Sequence, residues 1–158
     1  MTEKIFDLII VGDSCYRGGP TLFAKMRRAL ALAADIPLAH LIVDLPDSDE
    51  VVLEVPDLDG FDLVEKNIYG EWDAPPSDPI LHLLAHSDEK GEIKEEHMLS
   101  LVARITELEP IAYDIINERD GLEAAQIISH RLQWFAEQLA MAYTTHRPVN
   151  FRLEPQFP

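Results

Sequence analysis

Two histidines and an aspartate are the residues of this chain best spaced for chemistry: His82, His86 and Asp88, within the stretch Ile80–Ile93. If residues 80–86 are helical, the two imidazoles stand one turn apart on one face, with Asp88 just beyond. Such a trio can hold zinc or another transition metal, with Glu92 or His97 as a further donor. The competing reading is structural, with His86 and Asp88 binding backbone groups in the turn that caps the following helix. A calcium loop does not fit. Centring it on Gly91 puts His86, Lys90 and His97 where oxygen ligands belong. No cofactor is expected.

A second candidate lies near the start. Arg17, Lys25, Arg27 and Arg28 place four of the 13 basic residues within twelve positions of an otherwise acidic chain. Gly18 and Gly19 precede a helix whose free N–H groups and dipole favour an anion, and Ser14 and Thr21 can add hydroxyl donors. An anion pocket built from Ser14, Arg17, Gly18, Gly19, Thr21, Lys25 and Arg28 is one reading. The other is that these cations pair with the protein's own surplus carboxylates. Ile9–Ser14 also resembles the opening block of the SGNH hydrolases, which implies Ser14 as a nucleophile. That chemistry needs a base and oxyanion donors, and the family's Asp-x-x-His block has no counterpart in this sequence.

The third candidate is a surface rather than a pocket. Seven acidic residues fall between Asp44 and Asp59 with no Lys or Arg among them. Asp44, Asp47, Asp49, Glu50, Asp57 and Asp59, with Trp72 as an aromatic anchor, form a candidate docking face for a protein with a basic surface. Trp72 has an alternative role as cover for the core. The whole chain points the same way, with 29 Asp and Glu against 13 Lys and Arg and a formal net charge of −16. Such a charge disfavours nucleic acid and anionic membrane, both polyanions, and it also favours plain solubility.

The elements that must position these groups follow from periodicity. Residues 5–11 read as a strand and 12–19 as a loop. Pro20 opens a helix to about residue 34, with Leu22, Met26, Leu30 and Ala33 at helical spacing. Residues 41–43 and 51–55 read as strands, and Asp59-Gly60 predicts a hairpin or tight corner joining 51–55 to 61–64. The whole of 44–79 is rich in acid and proline and has room for irregular chain. A short helix is expected from Asp78 or Pro79 to about Ala85. Another runs from Glu95 to Leu108 and closes at Pro110, and residues 111–118 continue as helix or irregular chain. The longest helix spans Leu122–Thr145, with Ile128, Leu132, Phe135, Leu139 and Ala142 on its buried side. Residues 149–153 return as a strand.

The 158 residues, 47% apolar, suffice for one domain with a real core. Cys15 is the only cysteine, so no intrachain disulfide forms and a cytoplasmic home is expected. No signal peptide is read at the start, and no run is long enough to span a membrane.

His86-Ser-Asp88, Gly91-Glu92, the helix that follows, and the ending Arg147–Arg152 together resemble a family of small bacterial proteins. Its members pair a Trp-containing loop with this His-Ser-Asp turn, and they carry Cys-Asp where this chain has Glu89-Lys90. The resemblance implies a shared fold and no particular activity.

The expected architecture is a helix-dominated α+β domain, with a small sheet made of the first strand and the middle segments. The leading functional expectation is a non-enzymatic acidic protein that binds and inhibits or regulates a basic partner, of the immunity, antitoxin or nucleic-acid-mimic type. The alternative is a small-molecule or metal site joining Ser14 and Arg17 to His82, His86 and Asp88. A structural subunit with a partly uncovered terminal helix is a third possibility.

Overall fold

The computed structural model describes residues 6–11, 15–18, 20–44, 50–87, 90–147 and 149–155. The fold is α+β and dominated by helix. β1 (Phe6–Val11) pairs antiparallel with β2 (Cys15–Gly18) on one side and with β6 (Val149–Pro155) on the other. The short β5 (Glu92–Ile93) adds to the far edge of β6, giving the order β2-β1-β6-β5. Thus the last strand, not the middle segments, lies beside the first. β3 (Leu38–Asp44) and β4 (Glu50–Pro56) pair only with each other among the described residues, as a separate antiparallel hairpin.

Three further expectations are corrected. The segment expected to be wholly loop at 12–19 contains β2, because an unpaired β1 edge would leave its backbone groups without partners. Of the hairpin or tight corner expected at Asp59-Gly60, the corner forms, with the Phe61 N–H donating to the Leu58 carbonyl at 3.0 Å, and the hairpin does not, since residues 61–64 form no strand. β4 already has its partner in β3. The third correction is Pro110, which does not end its helix.

α3 (Glu95–Asp120) runs through Pro110, carrying the buried stripe Met98, Leu101, Ile105 and Leu108 on to Ala112 and Ile116. Proline removes one ladder hydrogen bond, here the donor to the Thr106 carbonyl. Both Thr106 and Pro110 are exposed, so water can serve that carbonyl. Continued burial against the next helix outweighs the local penalty. Gly121 alone separates α3 from α4 (Leu122–Thr145), and its φ of 100° is a conformation that glycine adopts without strain. The far ends of the helix pair meet where His146 Nδ1 lies 2.5 Å from Glu95 Oε1.

α1 (Pro20–Ala33) packs its buried face, Phe23, Met26 and Leu30, against this pair and the sheet. The Phe23 ring lies 6.2 Å from Phe135 of α4 and 6.0 Å from Phe151 of β6, so three elements converge on it. A short α2 (Leu81–Leu84) completes one hydrophobic core. No helix among the described residues is long and apolar enough to cross a membrane.

Replacing Pro110 with alanine restores a donor to Thr106 and a strong helix former. The urea midpoint should rise, by an amount corresponding to about 1–3 kcal/mol. A lower midpoint would mean that α3–α4 packing depends on the proline's local geometry.

Candidate functional site

The segment that carries the two histidines is the most deeply buried short stretch among the described residues. Every residue from Ile80 to His86 is at most 8% exposed. Burying a stretch with so little regular structure requires a partner for each backbone group. α2 has only four residues, so its terminal carbonyls need donors from elsewhere. Arg27 of α1 supplies them. Its Nε donates to the Leu83 carbonyl at 3.1 Å and an Nη donates to the His86 carbonyl. The guanidinium also lies 4.4 Å from the centre of the Phe23 ring.

His86 falls beyond the end of α2, so the two imidazoles do not share a helical face. Its Nδ1 lies 2.8 Å from the Ser87 carbonyl oxygen and its Nε2 lies 3.3 Å from that of Glu92. The ring stacks on Phe151 at 3.9 Å. Around it the chain is pulled tight: the Ser87 N–H donates to the Ile68 carbonyl at 2.6 Å, and the Phe151 N–H donates to Gly91 at 2.8 Å. Gly70 has φ 81°, and a Cβ there would lie 1.6 Å from the Glu92 carbonyl oxygen. A Cβ on Gly91, at φ 110°, would lie 2.9 Å from His86 Cε1. Both glycines are dictated by the approach of backbone to this ring.

His82 faces another neighbourhood. Its ring stacks on His97 at 4.2 Å and meets the Trp72 ring edge-on at 5.0 Å. Burial, with His97 and His86 nearby, pushes the His82 pKa down from 6.5 to about 4, so the ring is neutral near pH 7. Burial likewise lowers that of His97, against the raising effect of Glu96. The buried His97 Nε2 and Trp72 Nε1 have no hydrogen-bond partner among the described residues. Trp72 is 7% exposed, which makes it a core residue and not the surface anchor entertained above.

This geometry bears on each candidate. No group of three or more His, Cys, Asp and Glu side chains is placed to hold a metal among the described residues, and Asp88 lies outside them. The two nitrogens of His86 face backbone carbonyls, the geometry of a structural tie.

Of the proposed anion site, Ser14 and Gly19 lie outside the described residues, as do the side chains of Arg17 and Thr21. Arg17 and Gly18 belong to β2, not to a loop. Arg28 meets the protein's own carboxylates, Glu54 at 2.9 Å and Asp120 at 2.8 Å. Lys25 is exposed. Of the acidic set, Glu50 and Asp59 are exposed and Asp57 is half-buried, its carboxylate accepting the Asp59 N–H at 3.1 Å. Asp47, Asp49 and the Asp44 side chain lie outside the described residues.

Sequence reasoning missed the exposure of the β3–β4 hairpin. Glu54 ties its base to α1 through Arg28, and the Asp57 N–H donates to the Pro37 carbonyl at 2.8 Å. Farther out, Leu41 and Ile42 are 51% and 62% exposed, and Val52, opposite Ile42, is 56% exposed. Consecutive strand residues point to opposite faces, so each face of the arm carries an exposed apolar side chain at that level. The apolar runs 41–43 and 51–53 carried the signal, but such runs ordinarily mark buried strands.

Beneath β4 lies a groove of about 480 Å³ between the hairpin, α1 and the α3–α4 corner. Comparison with known protein families, curated proteins and solved structures gives no match.

Two measurements check this account. Gly70→Ala should cost about 4 kcal/mol or more in urea unfolding, whereas Gly60→Ala, in open space, should stay within about 0.5 kcal/mol of the parent. Similar values for both would disprove the tight approach at Glu92. Because the folded chain holds His82 neutral, the unfolded chain binds the proton first. Stability should therefore be full above pH 6.5 and fall by roughly 3 kcal/mol as pH drops towards 4. In His82→Phe most of that slope should vanish, with His97 contributing a remainder of the same sign. A slope unchanged by the substitution would place the titration elsewhere.

Proposed function

We propose that this protein is a non-enzymatic, acidic interaction protein that binds and regulates a partner with a basic surface. The observation that carries the reading is the β3–β4 arm. Leu41, Ile42 and Val52 are more than half exposed on a hairpin whose sequence, with the residues just after it, holds seven carboxylates and no Lys or Arg between 44 and 59. An apolar centre with a charged surround is the anatomy of a protein-binding patch. The carboxylates speed encounter with a basic surface, and the apolar side chains supply affinity once water is excluded. The charge of −16 works against nucleic acid as the partner.

The alternative, a small-molecule or metal site joining Ser14 and Arg17 to the histidines, draws less support. His86 holds backbone carbonyls and His82 is stacked within the core.

The test is partner capture at low salt, followed by a salt gradient. The parent protein should retain a basic protein that elutes as ionic strength rises. The variant carrying Asp47→Asn, Asp49→Asn, Glu50→Gln and Asp57→Asn should lose most of that capture while keeping its circular dichroism spectrum. Equal capture by both would sink the proposal.

A further inference from the structure

We propose that residues 71–77 form a strap latched by Trp72 against the stacked rings of His82 and His97, and that proton uptake by those rings releases it while the helices stay folded.

The strap runs between two fixed points. At Gly70 the backbone approaches Glu92 so closely that a Cβ would lie 1.6 Å from its carbonyl oxygen. At the other end the Asp78 carboxylate accepts two hydrogen bonds from Arg104 of α3, at 3.0 and 2.9 Å. Between these points the chain has no helix or strand. Among the described residues its backbone is tied once, where the Glu71 N–H donates to the Lys66 carbonyl at 3.0 Å. Asp73 pairs with Lys66, an exposed contact that does not reach the core. Of the seven residues Trp72 alone is buried, Pro76 is half-buried, and the rest are exposed. A segment with one buried side chain and few hydrogen bonds opens more readily than the helices around it.

The seat holds the indole by packing. Trp72 meets His82 edge-on at 5.0 Å, and His82 stacks on His97 at 4.2 Å. Neither Trp72 Nε1 nor His97 Nε2 has a hydrogen-bond partner among the described residues. Opening gives both atoms to water, which offsets part of the cost of uncovering the ring. A cavity of about 360 Å³ also separates Pro75 and Pro76 from Phe61, Leu63 and Leu81, so the strap rests on the core through Trp72 more than along its length.

The charges around the seat set the direction of the response. A proton on either imidazole puts a cation against the other ring in a dry site. From the same segment the pair faces His86, and from α1 comes Arg27, a cation already bound to the Leu83 and His86 carbonyls. On α3, Lys94 and Glu96 flank His97. Glu96 lies 3.7 Å from His97 Nε2, but its side chain is 65% exposed, so water screens it as a counter-ion. Neutral rings therefore favour the closed strap. The closed form is fully favoured above pH 6.5 and loses ground as pH falls towards 4. Displacing Trp72 is the smallest motion that brings water to a protonated ring.

The experiment uses the full chain carrying Trp134→Phe, which leaves Trp72 as its only tryptophan. Lifetime-corrected acrylamide quenching of Trp72 reports the strap, and far-UV circular dichroism reports the helices, both followed from pH 7.5 to 4.5. The quenching constant should rise about threefold or more and return on neutralisation, with the helix signal unchanged. His82→Phe in the same background keeps a ring in the stack without a titrating group, and most of the rise should vanish. His82→Leu serves if that variant fails to fold.

A smaller rise in the parent, or quenching already complete at pH 7.5, overturns the latch. A rise that comes only with loss of the helix signal assigns the titration to global unfolding and overturns it equally. If the variant without a titrating group keeps more than half of the rise, the histidine pair is not what releases the strap.

Discussion

The hydrogen bonds from Arg27 to the carbonyls of Leu83 and His86 are the contact on which most of this architecture depends. A four-residue helix cannot satisfy its own terminal carbonyls, and in a dry core each one left unpaired is costly. A guanidinium suits the task because it carries several donors in a fixed planar fork. With α1 fixed to the end of α2, Phe23 is held against Phe135 and Phe151, and the helices and the sheet meet on one side chain. His86 continues the same pattern. Its ring lies between the Ser87 carbonyl, 2.8 Å from Nδ1, and that of Glu92 in β5, 3.3 Å from Nε2, and the single N–H of a neutral imidazole serves one of the two. The interior is closed by donors reaching from side chains to backbone.

Cations used in this way are lost to the surface. Arg27 serves carbonyls, Arg28 joins Glu54 to Asp120, and Arg104 holds Asp78 at 2.9 Å beside the buried segment. Three of the 13 basic residues are committed in this way, and the 29 carboxylates outnumber the other ten almost threefold. The negative field follows from composition together with where the few cations are consumed.

The hairpin stands apart from this economy. A two-stranded ribbon is marginal in water unless something packs on it. Among the described residues, this one is tied to the rest of the fold through Glu54 and the Asp57–Pro37 hydrogen bond. Its outer part keeps apolar side chains exposed on both faces. That arrangement costs solubility and local stability, and in a protein this acidic the surrounding carboxylates oppose self-association.

The helices were legible from sequence because helical periodicity is local. The 3.6-residue recurrence from Leu122 to Thr145 and the Pro20 start gave those elements directly. Pro110 was misread because its penalty is local, whereas the burial of Ala112 and Ile116 that outweighs it is tertiary. Strand pairing was beyond reach for the same reason: nothing in residues 6–11 specifies 150–155 as their partner, since a strand's neighbour is fixed by the packing of the whole chain. The histidine spacing was visible, but not that His86 would face two carbonyls or that His82 would lie on His97. The charge of −16 and the acidic stretch 44–59 were determined by sequence alone, because charge is a property of composition. Which apolar residues lie beside those acids in water was decided by the tertiary structure, because burial is a property of neighbours that sequence does not name.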